Sequence, residues 1–348
     1  MTLREKAVQF AAWRTRRILS LLARNSSPQK RNRVLCIVTG GLGDKLMALP
    51  AVRHLRAEFP QSKITLLYLG AAPPFVKNEA DQVVELPATA TLPLLKRAAK
   101  KYDVCFVNSI GIYDVRCEVA AFATNAPDRR GPRFGREKAT IYNHPFVFGE
   151  SHETRSNFLG AGGTSEAAAL NYPLSLPPEI RTLRPGGPDI ILHPGSSPSG
   201  LVNRWPVENY AALAAALAKN GHRVAAIGSP AEKPLIEELQ SKSGGTVQFL
   251  SDLTLGELAT LLACTELVIA NDSGIAHLAA AVGTQLITIM GANKPEKVAP
   301  IGKHVTLIGP RCIHGGCYND PRIKRCEFCI NRISVSEVLQ TARSILHS

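Results

Sequence analysis

Two series of alternating strands and helices, separated by a stretch rich in proline and glycine, constrain this 348-residue chain more than any other feature. In the first series Val34–Val38 is a short apolar run that ends at Gly40, Gly41 and Gly43. A helical pattern follows through Leu46, Leu49, Val52 and Leu55, and a second strand is predicted over Lys63–Tyr68. Val83–Leu86 and Val104–Val107 read as further strands, with a helix over Leu92–Lys100 between them. From Tyr172 to Pro188 the chain carries Pro173, Pro177, Pro178, Pro185, Gly186 and Gly187, the signature of a linker. The series then restarts with strands at Asp189–His193, His222–Ile227, Leu267–Ala270 and Gln285–Met290. Helices are predicted between them over Val207–Lys219, Ala231–Ser241, Thr254–Cys264 and Ile275–Val282, and Val335–Leu346 closes the chain. Parallel strands can be joined only by long crossovers, so this alternation predicts βαβ units and an α/β fold. The expected domains are 34–175 and 186–332, with a leader at 1–33 and a terminal helix at 333–348.

Charge narrows the partners. Apolar residues make up 45% and charged residues 20% of the chain, an ordinary globular composition. No run approaches the ~20 apolar residues of a membrane-spanning helix, and the start lacks the pattern of a secretory signal. A cytoplasmic protein is expected. The net charge of +13 is uneven: residues 1–33 hold nine Lys or Arg against Glu5 alone, so +8 sits in the leader and +5 in all the rest. A nucleic-acid binder would spread its cations over a folded surface, so no nucleic-acid partner is expected. On a helical wheel Leu3, Ala7, Phe10, Ala11, Ile18, Leu21 and Leu22 share one side. Lys6, Arg16, Arg17 and Arg24 lie opposite, with Arg4 and Arg14 intruding on the apolar side. That pattern fits a helix resting on an anionic inner-membrane surface, and equally a leader packed on the body. If lipid holds the leader, deleting residues 1–30 should release the chain from anionic vesicles in co-sedimentation; unchanged pelleting contradicts it.

Three loops carry candidate chemistry. Gly40, Gly41, Gly43 and Asp44 lie between the first strand and its helix, where glycine lets the backbone turn tightly and the helix start offers unpaired N–H groups. Asp44 is either a helix cap or a carboxylate presented to a ligand, and Lys45 stands beside it. A dinucleotide site would place an acid at the end of the second strand. Here that strand ends Leu67, Tyr68, Leu69, Gly70, which counts against a nicotinamide-dependent dehydrogenase. In the second loop, Asn271 and Asp272 lead to Ser273, Gly274 and Ile275, whose N–H groups at a helix start suit a diphosphate, with His277 one turn on. The plainer alternative is a capped helix with a half-buried histidine. The third loop joins His193, Pro194, Gly195, Ser196 and Ser197 to Asn203, Arg204, Trp205 and Pro206. Arg204 offers phosphate a planar guanidinium, whereas Trp205 is as well explained by packing.

Taken in order and spacing, these pieces resemble the lipopolysaccharide heptosyltransferase family, glycosyltransferase family 9, over residues 33–331. Further elements of the resemblance are Leu49-Pro50-Ala51, Arg53, Arg56, Phe59-Pro60, the stretch Gly228–Glu232, Leu278-Ala279, and Gly291 before Pro295. The resemblance implies a GT-B fold, two Rossmann-like domains facing a central cleft, with a C-terminal helix that in such folds often crosses back. It implies an inverting, metal-independent transfer with no cofactor, of heptose from an ADP-heptose donor onto a lipopolysaccharide-core or related glycolipid acceptor. It puts the general base on Asp44 and donor contacts on Ser196, Arg204, Glu232, Asp272, Ser273, Gly274, Ile275 and His277. Glu232 then belongs near the ribose, and Gly41, Gly43 and Lys45 form a phosphate loop. Relatives commonly carry lysine two residues before the tryptophan; here Asn203 stands there, and Arg204 or Lys45 is expected to supply the missing charge. That departure keeps open another nucleotide sugar, a sugar-nucleotide epimerase, or an inactive membrane-associated relative.

Two groups remain. Arg129, Arg130, Arg133 and Arg136 read either as a contact for an anionic acceptor or as an exposed, solvated cluster. Cys36, Cys105, Cys117 and Cys264 read as buried small hydrophobes, while Cys312, Cys317, Cys326 and Cys329 form either a reduced loop or a zinc site.

Overall fold

The computed structural model describes residues 33–108, 114–133, 141–147, 151–165, 174, 187–196, 203–309 and 328–347. The chain divides into two compact units, Met1–Asn171 and Tyr172–Ser348. In the first, β1 (Arg33–Val38), β2 (Lys63–Leu69), β3 (Gln82–Leu86), β4 (Val104–Val107), β5 (Asp128–Arg133) and β6 (His144–Val147) form a parallel sheet ordered β3-β2-β1-β4-β5-β6. In the second, β7 (Ile190–His193), β8 (Val224–Ile227), β9 (Val247–Leu250), β10 (Leu267–Asn271), β11 (Gln285–Ile289) and β12 (Val305–Ile308) form another, ordered β12-β11-β10-β7-β8-β9. Counted from the start of each unit, both orders are 3-2-1-4-5-6, the doubly wound arrangement.

Central strands of a sheet with helices on both faces meet no water, which is why they read as unbroken apolar runs. Val34 to Val38 and Ile190 to Leu192 are fully buried, whereas the outer strands β3, β9 and β12 keep partly exposed positions. The helical pattern after β1 is two helices, α1 (Leu42–Met47) and α2 (Leu49–Glu58), not one. Pro50 lacks the N–H that a continuous helix would direct to the carbonyl of Leu46, so the ladder breaks and restarts. The first unit continues with α3 (Leu92–Ala98), α4 (Val115–Ala123) and α5 (Glu153–Gly160).

The basic cluster is corrected by β5. Arg129 and Arg130 are both buried, 4% and 6% exposed, and are neither a solvated patch nor open to an acceptor. Arg130 makes ion pairs with Asp128 at 2.9 Å and with Glu58 of α2 at 2.7 Å, while Arg129 donates to the carbonyls of Ile141 and Ala126. A strand spelled Asp-Arg-Arg-Gly-Pro-Arg escapes pattern reading because its burial is made tolerable by specific partners rather than by apolar side chains. Arg133 ends the strand and Arg136 lies outside the described residues.

The second unit holds α6 (Val207–Lys219), α7 (Lys233–Lys242), α8 (Leu255–Ala263), α9 (Gly274–Val282), α10 (Pro295–Val298), α11 (Phe328–Asn331) and α12 (Val335–Leu346). Trp205 anchors its core: 1% exposed, it stands edge-on to Tyr210 at 5.0 Å and donates its indole N–H to the carbonyl of Ile333 at 2.9 Å. Burying an indole this fully needs that one acceptor, because the ring has a single polar atom. The last helix joins the same core through Val338 and Ala342. Within the proline-rich stretch, Leu174 donates its N–H to the carbonyl of Ala281 at 2.7 Å. No described helix is long and apolar enough to cross a membrane, and the basic leader up to residue 32 lies outside the described residues.

Candidate active site

β7 and β10 are neighbours from which the chain winds away in opposite directions, and the crevice past the carboxyl ends of such strands is where an open α/β sheet takes its ligand. His193 ends β7 and is buried, with Nδ1 3.2 Å from the Ser273 hydroxyl and Nε2 3.8 Å from Glu232 Oε2. Ser273 caps α9, its hydroxyl oxygen accepting from the Ala276 N–H at 3.4 Å. The positive end of that helix opens at Gly274 and Ile275, both partly exposed. His277, one turn further, is buried.

Glu232 reaches the same place from β8. Ser229 and Glu232 make a capping box, the Ser229 N–H and hydroxyl both donating to Oε2 at 2.8 Å. Oε1 faces Gly195, where a Cβ would sit 1.9 Å from it. Gly195 is thus glycine to make room for a carboxylate. Arg204 donates from Nε to the Ser196 hydroxyl at 3.1 Å and from Nη2 to the Ser196 carbonyl at 2.9 Å, and the same Nη2 lies 4.0 Å from Glu232 Oε1. Burial works to raise the Glu232 carboxyl, but hydrogen bonding and charge at His193, with the two Ser229 donors, overcome it and bring the group down to about 2. The carboxylate is ionised and can only accept. It stands just past the second strand of its unit, where a doubly wound half presents an acid to a ribose.

Asp272 precedes the helix cap. Burial pushes its carboxyl up to about 6, against the pull of the Asn293 amide that donates to Oδ2. The sign follows from the raised value: the stability this group contributes is complete below the free-aspartate range and declines as pH rises through about 6. Asn293 drew no attention in the sequence because nothing in its spacing marks it. Asn203, 2% exposed, spends its Oδ1 on the Ala292 N–H at 2.9 Å and serves as a staple between two loops. Among the described residues, Arg204 is the cation paired with Glu232 in this cluster.

In the first unit Asp44 is the third residue of α1, partly exposed. Its Oδ2 accepts from the Gly41 N–H at 2.7 Å, so one geometry serves both readings of the residue, cap and presented carboxylate. Gly40 has φ of +98°, and a Cβ there would lie 2.5 Å from Asp44 Oδ2; glycine is required on both counts. Gly41 is exposed and Gly43 lies within α1. Lys45 is buried, donates from Nζ to the Ala71 carbonyl at 2.6 Å and lies 5.7 Å from the centre of the Tyr68 ring. Burial lowers its pKa, with Glu85 and Asp44 opposing. One of its three N–H donors is used just past the end of β2.

Cys36, Cys105 and Cys117 are buried free thiols, and burial pushes Cys36 up to about 12, which keeps it inert. Cys329 is buried in α11, while Cys312, Cys317 and Cys326 lie outside the described residues. Among the described residues no group of three or more His, Cys, Asp or Glu is placed to hold a metal ion.

With this geometry in hand, comparison with known proteins gives a consistent answer. The family model for glycosyltransferase family 9 (heptosyltransferase) matches residues 168–323. Lipooligosaccharide heptosyltransferase 2 of Haemophilus influenzae is 36% identical over 121 residues, about a third of either chain (33% and 34%). Lipopolysaccharide heptosyltransferase 2 of Salmonella typhimurium is 25% identical over 312 residues, 79% of this chain and 87% of the relative. The solved structure of Escherichia coli ADP-heptose lipopolysaccharide heptosyltransferase II superposes with a TM-score of 0.71 at 20% identity, covering 90% of this chain and 98% of that one. The two doubly wound sheets are those of a GT-B fold, and the chain is a glycosyltransferase similar to the heptosyltransferases of glycosyltransferase family 9.

Proposed function

We propose that this enzyme transfers heptose from ADP-heptose, with inversion and without a metal, to the core of lipopolysaccharide or a related glycolipid. The observation that carries the reading is the connected set in the second unit: the α9 start at Ser273, then His193, Glu232, Arg204 and Ser196. A nucleoside diphosphate sugar needs an acceptor for ribose hydroxyls and donors for two phosphates, and this set offers Glu232 for the first and the helix start with Arg204 for the second. Relatives and structural neighbours are named as heptosyltransferases, one of them as an ADP-heptose enzyme, which favours adenine and heptose in the donor.

Asp44 serves as general base. Its carboxylate takes the proton of the acceptor hydroxyl as that oxygen attacks the anomeric carbon, and the leaving diphosphate keeps the bonding pair. Developing charge on the diphosphate is met by the N–H groups at Gly274 and Ile275 and by the guanidinium of Arg204. The basic leader would hold the enzyme at the cytoplasmic face of the inner membrane, where a glycolipid acceptor lies.

Calorimetric titration with ADP, UDP, GDP, CMP and NAD tests the donor. Preference for ADP is expected. Preference for UDP or GDP would keep the chemistry and discard ADP-heptose, while tight NAD binding would overturn a transferase site. Arg204→Ala should weaken ADP roughly tenfold and leave adenosine unchanged, since one charge-assisted contact to phosphate is lost. Equal losses for both ligands would place Arg204 away from the phosphates.

A further inference from the structure

The two units share more than strand order. In each, the ladder between the first and fourth strands runs out and the residue that follows the last pair on the fourth-strand side is an asparagine. The last pair of β1 and β4 is Ile37 with Val107, followed by Asn108; the last pair of β7 and β10 is His193 with Ala270, followed by Asn271. Both side chains are buried, 2% and 0% exposed. Each reaches across the point where the sheet winds both ways and binds the backbone of the loop that leaves the first strand. Asn108 Oδ1 accepts from the Thr39 N–H at 2.9 Å, and its Nδ2 donates to the Thr39 carbonyl at 3.2 Å. Asn271 Nδ2 donates to the carbonyls of Pro194 at 2.7 Å and Gly195 at 3.3 Å, and its Oδ1 accepts from the Trp205 N–H at 3.0 Å and the Tyr210 hydroxyl at 3.1 Å.

What each loop carries differs. Thr39 leads directly to Gly40, which lies against Asp44 Oδ2, and to Gly41, whose N–H binds the same oxygen. Pro194 and Gly195 lead to Ser196, which accepts two hydrogen bonds from Arg204, and Gly195 lies under Glu232 Oε1. An open α/β sheet has no ladder beyond its strand ends to hold these loops, and a buried amide that imitates a peptide group is a way to extend it.

We propose that Asn108 and Asn271 are matched positioning residues, Asn108 fixing the loop of the base and Asn271 fixing the loop of the donor site. The assignment of those loops rests on the proposed function; the clamps themselves do not. An aspartate is nearly isosteric with asparagine and keeps the acceptor. It cannot donate, and so sets a carboxylate oxygen against the carbonyl it formerly bound. Asn108→Asp should therefore loosen residues 39–44 without disturbing 193–204, and Asn271→Asp should do the reverse.

The experiment is amide hydrogen exchange by mass spectrometry on the full chain, wild type and both variants, with ADP titrations of each. Asn108→Asp is expected to speed exchange at least roughly tenfold in peptides covering 39–47, with ADP affinity within about twofold of wild type. Asn271→Asp is expected to speed exchange in peptides covering 193–205 and to weaken ADP by roughly tenfold or more. With ADP-heptose and core-truncated lipopolysaccharide, Asn108→Asp should lower kcat at unchanged donor KM, a split that general destabilisation would not produce. Exchange that rises equally in both regions for either variant, or in neither region, overturns the proposal. Should a substitution abolish folding, Asn108→Ser and Asn271→Ser, which remove the reach of the amide without adding charge, are read in the same way. If wild type binds no ADP, the donor reading falls, while the exchange pattern alone still decides the clamps.

Discussion

Asp44→Asn is expected to lower turnover by roughly 10²- to 10⁴-fold, the range that a positioned general base supplies, while ADP affinity and melting temperature stay near wild type. The choice of asparagine follows from the geometry. Asp44 Oδ2 holds the Gly41 N–H, so alanine would remove the base and the cap together, and any loss of rate would mix the two. Asparagine keeps an oxygen for that N–H and loses only the capacity to take a proton. Turnover within a few-fold of wild type would remove Asp44 from the proton transfer and leave it as a helix cap.

Gly195→Ala should weaken ADP binding roughly ten- to a hundredfold with little change in stability. A Cβ at this position would come within 1.9 Å of Glu232 Oε1, and the atom that must give way is the far end of a flexible side chain. The fold therefore survives, and the carboxylate swings off its Ser229 donors. Charge-assisted hydrogen bonds contribute about 1.5–3 kcal/mol each, so losing one from carboxylate to ribose accounts for the expected weakening. A double-mutant cycle sharpens the test. If the alanine acts only through the carboxylate, Glu232→Ala and the double variant should bind ADP equally weakly, because neither retains a placed acceptor. An additional loss in the double variant would mean that Gly195 itself approaches the ligand.

Much of this was legible in the residues. Unbroken apolar runs marked the buried parallel strands, since strands covered on both faces leave no polar side to record; Val104–Val107 and the helices Val207–Lys219 and Val335–Leu346 have the predicted bounds. The capping box at Ser229 and Glu232 is a spacing that sequence alone can show. What escaped reading depends on partners distant in the chain. β5 lies between β4 and β6 with Arg130 buried because that guanidinium finds Glu58 on α2, some seventy residues earlier. Asn108 drew no notice because its work is done on Thr39, with |i−j| of 69. Of the two cations offered for the donor phosphates, the fold places Lys45 against the Ala71 carbonyl and Arg204 beside Glu232, placements that no spacing in the sequence shows.

The most direct test of the account is a product measurement. The full chain is incubated with ADP-heptose and core-truncated lipopolysaccharide in excess EDTA, and ADP release is followed together with the mass and anomeric configuration of the glycolipid. ADP is expected to appear in step with glycolipid gaining one heptose, of inverted configuration, undiminished by the chelator and slowed roughly 10²- to 10⁴-fold in Asp44→Asn. A glycolipid that gains no sugar while ADP-heptose stays intact, or transfer that stops when metal is removed, would contradict it.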